Sequence, residues 1–336
     1  MCNATGKVLP RLFMVAALLL FGASAWAGSR EAEAAYEKGD YVTALKETTS
    51  LAAQGDAYAQ YNLGVMVANG QGTVRDYKLA ASWFRMAAEQ GHEYAQFVMG
   101  EMYRLGRGIQ QDNKEAAIWF RKSAERGLAE AQVILGAMHD KGLGVPQNYT
   151  EAASWYLKAA EQGNRDAQSL LGAMCDIGQG IQQNFADAVM WYHKAAEQGD
   201  AVAQYNLAVK YANGQGVKQD YREAAAWYRK SAEQGNASAQ FNLGVRYANG
   251  QGVPRDYAEA AAWYRKAAEG GNAAAQNNLA VLYAYGRGVP VNLVQSYRWL
   301  ERAAASGNED ARSNLQIAEA SMTSDEIKQA KALAQQ

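Results

Sequence analysis

Residues 236–271 read NASAQFNLGVRYANGQGVPRDYAEAAAWYRKAAEGG, and this stretch decides the fold. Its first half repeats small and apolar residues at intervals of four, four and three, the spacing of one helix face: Ala239, Leu243, Tyr247 and Gly250. The run that follows interrupts this helix, because glycine permits a left-handed backbone and Pro254 cannot continue a helix. A second helix is predicted near Asp256, whose carboxylate can accept hydrogen bonds from the first free amides. The stretch therefore predicts a helix-turn-helix hairpin.

The same hairpin recurs seven times at a fixed period. Tryptophans stand 36 residues apart at Trp83, Trp119, Trp155, Trp191, Trp227, Trp263 and Trp299. Paired glycines follow the same period, from Gly70 and Gly72 to Gly286 and Gly288. A fixed period of this length indicates a repeat array, in which each unit buries its apolar face against its neighbours. We predict an all-α fold, a right-handed α-solenoid of helix-turn-helix repeats.

The array is predicted to have a cap at each end. We divide the chain into a signal peptide at residues 1–27, an N-terminal capping hairpin at 28–55, seven 36-residue repeats at 56–307 and C-terminal capping helices at 308–336. The N-terminal hairpin has Glu47 where the repeats have tryptophan. Thr323-Ser324-Asp325-Glu326 has the pattern of a capping box that opens a final polar helix. Both ends are therefore expected to face water.

The first 27 residues have the pattern of a secretory signal. Lys7 and Arg11 precede an uncharged apolar run from Leu12 to Gly22, and Ala25-Trp26-Ala27 is a small-x-small cleavage site. An uncleaved membrane anchor is the alternative, but the uncharged stretch is a marginal length for a span of ~20 residues. We expect cleavage before Gly28, a periplasmic or secreted protein, and no stable membrane insertion afterwards.

The charge of the chain bears on its partners, and its cysteine content bears on how it is stabilised. The chain has a net charge of −1, and loss of Lys7 and Arg11 with the signal would make it −3. No excess of positive charge points to nucleic acid or to an anionic membrane surface. Cys175 is the only cysteine after residue 27, so the mature chain cannot form an internal disulfide. Stability must therefore come from packing between repeats.

Several recurring strings resemble the Sel-one-like repeat family, which is related to tetratricopeptide repeats. These strings are AQYNLG at residues 59–64, AAEQG at 195–199, GQGV at 214–217 and WYRK at 227–230. All seven units match at the anchor positions. The resemblance implies an α-solenoid whose first helices line a concave surface. It also implies a scaffold or adaptor that binds a protein or extended peptide.

Partner contacts are expected where the copies differ, at three first-helix positions spaced i, i+4 and i+7. In the fifth to seventh repeats the predicted binding residues are mostly polar: Asn206, Lys210, Asn213, Asn242, Arg246, Asn249 and Asn278. Asparagine can pair with a peptide backbone, and in tetratricopeptide domains the asparagine before Leu-Gly has this role. Lys210 and Arg246 are suited to a carboxylate.

The second to fourth repeats are apolar at the same positions and carry Met102, Met138 and Met174. Methionine adapts its shape to varied apolar side chains, so these residues are predicted to line an apolar half of the groove. The alternative is that the apolar residues pack between helices and the asparagines are only solvated.

The sequence contains no familiar catalytic signature. Gly-x-Ser-x-Gly, Ser-x-x-Lys, Lys-Thr-Gly and His-Glu-x-x-His are all missing, and we predict no cofactor or metal. Two other functions stay open: a β-lactamase-like or cell-wall amide hydrolase, and a glycan-binding module that stacks sugars on tryptophan. A cysteine-rich branch of the family carries a β-lactamase annotation, but its members have a cysteine pair in each repeat.

The histidines and Cys175 are the candidate reactive groups of the chain. His92 and His193 are expected at exposed positions. His139 and Cys175 replace the tyrosine of the first helix in successive repeats, where a core role is favoured over a thiol–imidazole pair because no third orienting group is evident.

Overall fold

The structure is a computed structural model that describes residues 30–334. The signal peptide predicted at residues 1–27 lies outside the described residues. Between residues 30 and 334 the chain forms 18 helices and no strand. The chain divides into two compact units, with the boundary between Gln183 and Asn184.

Unit one contains nine helices. They are α1 (Arg30–Glu37), α2 (Tyr41–Ala53), α3 (Ala57–Asn69), α4 (Tyr77–Glu89), α5 (Glu93–Leu105), α6 (Asn113–Glu125), α7 (Ala129–Lys141), α8 (Tyr149–Glu161) and α9 (Arg165–Ile177). Each helix packs on the next in chain order, as expected for stacked hairpins. The helices of the repeats are 13 residues long, so the stack is built from elements of one size.

Unit two contains the other nine helices. They are α10 (Phe185–Glu197), α11 (Ala201–Asn213), α12 (Tyr221–Glu233), α13 (Ala237–Asn249), α14 (Tyr257–Glu269), α15 (Ala273–Tyr285), α16 (Leu293–Ala305), α17 (Glu309–Ala320) and α18 (Ser324–Ala334). Helices α10 to α17 pack in chain order, and α18 returns to contact α16. The all-α class and the stacking of hairpins predicted from the sequence are confirmed within each unit.

Helix ends follow the local chemistry of the sequence. Asp220 begins α12, and its carboxylate accepts from the amides of Arg222 at 2.7 Å and Glu223 at 3.2 Å. Gly214 ends α11 with a left-handed backbone at φ 68°. The predicted capping box is confirmed, because the amide of Thr323 donates to Glu326 and the amide of Glu326 donates to the Thr323 hydroxyl.

Tryptophan and alanine fill the core. Six of the repeat tryptophans are only 5 to 7 % exposed: Trp119, Trp155, Trp191, Trp227, Trp263 and Trp299. A lysine three residues later covers five of these rings, with Nζ 3.8 to 4.2 Å from the ring centre. Burial of one such aromatic removes roughly 150–250 Å² from water, which makes tryptophan the largest apolar contribution of each repeat. Alanines such as Ala224 and Ala260 are fully buried and let helices approach closely.

The same hydrogen bond recurs in every repeat and joins it to the hairpin before it. In all seven first helices a glutamine Nε2 donates to a backbone carbonyl eight residues earlier, at 3.0 to 3.2 Å: Gln60, Gln96, Gln132, Gln168, Gln204, Gln240 and Gln276. The acceptors lie in the last turn of the preceding second helix, where carbonyls lack partners within their own helix. The buried glutamines therefore stabilise the interface between one hairpin and the next, which we call the joint.

The two glycines of each turn have different roles. The first, such as Gly214, ends a helix. The second, such as Gly216, brings the turn against the beginning of the preceding second helix. A Cβ atom on Gly216 would lie 2.2 Å from the carbonyl oxygen of Phe185, which is far inside contact distance. The second glycine is therefore required for close approach between repeats as well as for its positive φ.

We predict that Gly216→Ala destabilises the protein more than Gly199→Ala does. Both glycines have positive φ, at 74° and 86°, so alanine meets similar backbone strain of about 1–2 kcal/mol at either position. Only Gly216 faces backbone atoms, whereas nothing lies within 4 Å of a Cβ at Gly199. The clash should add about 1–3 kcal/mol, measurable as a lower midpoint of urea unfolding. Equal midpoints for the two variants would contradict this role of the second glycine.

Candidate binding surface

The first helices of unit two share one partly exposed face. Four positions per helix, spaced by four, three and four residues, form it: Val202, Asn206, Val209 and Asn213 on α11; Ser238, Asn242, Val245 and Asn249 on α13; Ala274, Asn278, Val281 and Tyr285 on α15. We call these residues the unit-two face. The last position of each helix is exposed, and the other three are half-buried.

The asparagines of the face differ in their hydrogen bonds. Asn242 donates its side-chain amide to the carbonyl of Ser238 at 3.0 Å, which leaves its side-chain oxygen as an acceptor. Asn278 accepts from the side-chain amide of Asn277 at 3.4 Å, and its side chain lowers the pKa of Tyr264. Asn206 makes no side-chain hydrogen bond with the described residues. Asn206 and Asn242 thus retain hydrogen-bonding capacity toward a ligand.

The valines of the face were missed by the sequence analysis. Val209, Val245 and Val281 lie between the asparagine positions and are half-buried on successive first helices. Their recurrence every 36 residues was visible in the sequence, but it resembled that of the core residues. The face therefore combines apolar side chains with amides.

Lys210 does not lie on this open face, which corrects the expectation for it. Its side chain is 5 % exposed, with Nζ 4.7 Å from the centre of the Phe185 ring and 3.2 Å from Oε1 of Gln215. Arg246 has the equivalent place on α13 and lies over the ring of Tyr221 at 5.1 Å, but it is only half-buried. This helix position contacts the first residue of the preceding second helix.

The methionines occupy the same helix position in unit one. Met102, Met138 and Met174 are buried, with only 2 to 5 % of each residue exposed. Met102 and Met138 belong to the hydrophobic core of that unit. The prediction that they line an open apolar groove is therefore corrected, and the alternative of packing between helices describes them.

His92 is buried, so its predicted exposure is wrong. It caps α5 through Nδ1, which accepts from the amide of Ala95 at 3.2 Å, and its ring stacks on Tyr61 with 4.6 Å between centres. Burial lowers the pKa of His92, which favours the neutral form that this cap requires. The position precedes a first helix in every repeat, so capping was the signal that the sequence offered.

His139 and Cys175 lie in the interior of unit one, as the core interpretation expects. Both are buried, and Nε2 of His139 lies 3.1 Å from a guanidinium nitrogen of Arg121. Burial and the neighbouring positive charge of Arg121 both lower the pKa of His139. His193 is half-exposed and lies 3.5 Å from the carboxylate of Glu197.

The electrostatics of the first helices differ between the units. In unit one, cations on these helices have carboxylate partners: Arg104 pairs with Glu101 at 2.7 Å and Lys141 with Asp140 at 3.0 Å. Helices α11, α13 and α15 contain no aspartate or glutamate, but they contain Lys210 and Arg246. These three first helices of unit two therefore carry positive charge and no acidic residue of their own, and only Arg246 of the two cations is half-exposed.

Neither a metal site nor a membrane span is present in the part of the chain that the structure describes. Residues 30–334 hold no cluster of three or more histidine, cysteine or acidic side chains arranged to bind a metal ion. In the same range, no helix combines the length and apolar character needed to cross a bilayer.

The sequence pattern of one known repeat covers most of the chain. The Sel1 repeat matches seven times in succession, at residues 57–92, 93–128, 129–164, 165–200, 201–236, 237–272 and 273–308. The chain belongs to the Sel1 repeat family. Proteins of this family are typically scaffolds for protein–protein interaction. A comparison with curated proteins found no match.

Two solved structures are similar to this Sel1 repeat protein over most of its length. One is a Sel1 repeat protein from Oxalobacter formigenes, with 35% identity, a TM-score of 0.64, and coverage of 86% of this chain and 82% of that chain. The other is a protective antigen present in uropathogenic Escherichia coli strains and displaying an SLR fold. It has 32% identity, a TM-score of 0.47, and coverage of 90% of this chain and 83% of that chain. The identity and coverage of the Oxalobacter formigenes protein agree with the family assignment.

We predict that Lys210→Glu destabilises the fold, whereas Arg222→Glu has little effect. Glutamate at position 210 would place a carboxylate in a buried site beside the Phe185 ring, which should cost at least about 2 kcal/mol. Arg222 is exposed on α12, and its reversal changes the net charge by the same amount. Thermal unfolding followed by circular dichroism measures both. A Lys210→Glu protein as stable as the Arg222→Glu control would contradict the structural role of Lys210.

Proposed function

We propose that this Sel1 repeat protein is an exported, non-catalytic scaffold that binds an extended segment of a partner protein along the unit-two face. The observation that carries the proposal is the recurrence of a half-buried asparagine and a half-buried valine on three successive first helices. The family's typical role in protein–protein interaction supports it.

The chemistry of the face suits an extended peptide. Asparagine amides can both donate to and accept from a peptide backbone, and valines offer apolar contact to its side chains. Packed helices lie about 8–10 Å apart, and an extended chain rises about 3.3 Å per residue. A repeat therefore corresponds to roughly three residues of the partner, which allows a regular register along the three helices.

The buried positions of other residues favour binding over the two alternative functions. A glycan-binding site would need exposed aromatic rings, but Trp191, Trp227 and Trp263 are buried under lysines. A thiol-dependent hydrolase would need an accessible nucleophile, and Cys175 is buried. These side chains serve packing.

Export is proposed from residues 1–27 alone. We expect that the protein, expressed in a bacterial host with a Sec pathway, is recovered from the periplasm or medium with Gly28 as its first residue. N-terminal sequencing and intact mass measurement test this. Recovery from the cytoplasm with residues 1–27 retained would contradict export.

Site-specific photo-crosslinking tests the proposed binding face. The crosslinker p-benzoylphenylalanine is introduced at Asn242 or Val245 on α13, and as a matched control at Ala226, which is exposed on α12. In native envelope preparations, positions 242 and 245 should yield the same discrete protein adduct after irradiation, and position 226 should not. Mass spectrometry identifies the adduct and the cross-linked segment.

Three results would count against the face. These are adducts of equal yield from position 226, different adducts from positions 242 and 245, or no adduct from either. Circular dichroism of each labelled protein checks that the helical fold is retained.

A further inference from the structure

We infer that Arg246 binds an aspartate or glutamate side chain within the partner segment. This inference rests on the proposed function, and it names the chemical group that Arg246, one helical turn after Asn242 of the unit-two face, selects. Lys210 and Arg246 were both expected to meet a carboxylate, but Lys210 is buried against Phe185 and Gln215.

Arg246 is a cation held in place without an anionic partner. Its guanidinium lies 5.1 Å from the centre of the Tyr221 ring, which fixes its position. Its Nε is buried and has no hydrogen-bond acceptor, and its side chain forms no salt bridge or hydrogen bond with the described residues. A guanidinium normally uses its forked donors on a carboxylate, so an unused one that remains half-exposed is suited to a carboxylate from outside.

Two phenols lie within electrostatic range of the guanidinium. Burial raises the pKa of Tyr228 and Tyr264, and the charge of Arg246 acts in the opposite direction on both. The side chain of Asn278 lowers the pKa of Tyr264, as a donor to the phenol oxygen does. A phenol that accepts in this way keeps its own hydrogen to donate. The phenol hydroxyls of Tyr228 and Tyr264 are therefore candidate further donors to a carboxylate that Arg246 binds.

The charge of the neighbouring helices favours an acidic ligand over any other. Helices α11, α13 and α15 lack acidic residues, so nothing on the unit-two face repels an incoming carboxylate. In unit one, by contrast, Arg104 is occupied by Glu101. An arginine on a first helix thus has an intramolecular partner in one unit and none in the other.

The position of Arg246 favours a side chain over a chain terminus. It lies on the middle of the three helices, with the asparagines Asn206 and Asn278 on either side along the stack. A segment that uses both must continue past Arg246 in both directions. A partner that ended there would leave one of the two asparagines uncovered.

Titration by NMR tests the inference on the purified full chain. The Nε–Hε resonance of Arg246 is followed at neutral pH during addition of three small probes: N-acetyl-glutamate methylamide, the corresponding glutamine compound, and N-acetylglycine. The first carries only a side-chain carboxylate, the second no charge, and the third only a terminal carboxylate. Binding of such small probes is expected in the millimolar range.

We expect the glutamate probe to shift the Arg246 resonance saturably, with no saturable shift from the glutamine probe. The resonance of exposed Arg222 on α12 is the internal control and should move much less. Absence of a shift at Arg246, or an equal shift at Arg222, would overturn the inference. Tighter binding of N-acetylglycine than of the glutamate probe would overturn the assignment to a side chain.

Two variants connect this site to the partner. In Arg246→Gln, the adduct formed by the crosslinker at position 242 should fall about tenfold or more in yield at limiting partner, because a charged hydrogen bond is lost. Tyr264→Phe keeps the ring but removes the hydroxyl, so it should weaken binding of the glutamate probe by a smaller factor than Arg246→Gln does. Circular dichroism and melting temperature check that both proteins fold.

The two proposals fail in different ways. If the wild-type protein forms an adduct at position 242 and Arg246→Gln forms it undiminished, the binding face stands and the carboxylate site is wrong. If no adduct forms but the glutamate probe binds at Arg246, the carboxylate site stands and the proposed function is wrong.

Discussion

The joint between successive hairpins is the constraint on which the rest of the structure depends. At each joint, the second glycine of the turn lies so close to the first residue of the preceding second helix that an added Cβ would come within 1.9 to 2.3 Å of its backbone. On another side of the joint, a buried glutamine donates to the last turn of the preceding helix. These contacts involve backbone atoms, so they tolerate neither a side chain at the glycine nor a shift in register. The uninterrupted period of 36 residues follows from this geometry.

A fixed joint makes equivalent positions recur in equivalent surroundings. The clearest case is one position of the first helix, which is buried as Met102, Met138, Met174, Lys210 and Leu282 and which contacts the first residue of the preceding second helix as Lys210 and Arg246. Methionine fills this place in unit one, and in unit two a lysine and an arginine lie over aromatic rings. Arg246 remains half-exposed, whereas Lys210 at the equivalent position is buried. The residue type at this position therefore varies between repeats while the stacking of the hairpins stays the same.

The histidines and the cysteine that could be chemically reactive serve capping or packing instead. His92 caps a helix, His139 lies against Arg121, and Cys175 fills part of the interior. Each replaces a residue type that serves packing or capping in the other repeats. The unit-two face combines amides with apolar side chains, and the half-exposed cation of Arg246 lies on the middle one of its three helices; such a surface is suited to recognition of a polypeptide.

The sequence by itself determined the hairpin, its period, the helix caps and the burial of the tryptophans, because these depend on spacing along one chain and on local backbone chemistry. Only the tertiary structure decided that Lys210 and the methionines lie in the joints, that His92 is buried, that valines share the open face, and that Arg246 has no anionic partner. The physical reason is that periodicity assigns a residue to a face of its own helix, but burial depends on which neighbour covers that face. Which neighbour covers a face depends on how closely the hairpins stack, and backbone contacts at glycine determine this. The distance between stacked hairpins cannot be read from the pattern of side chains along one helix.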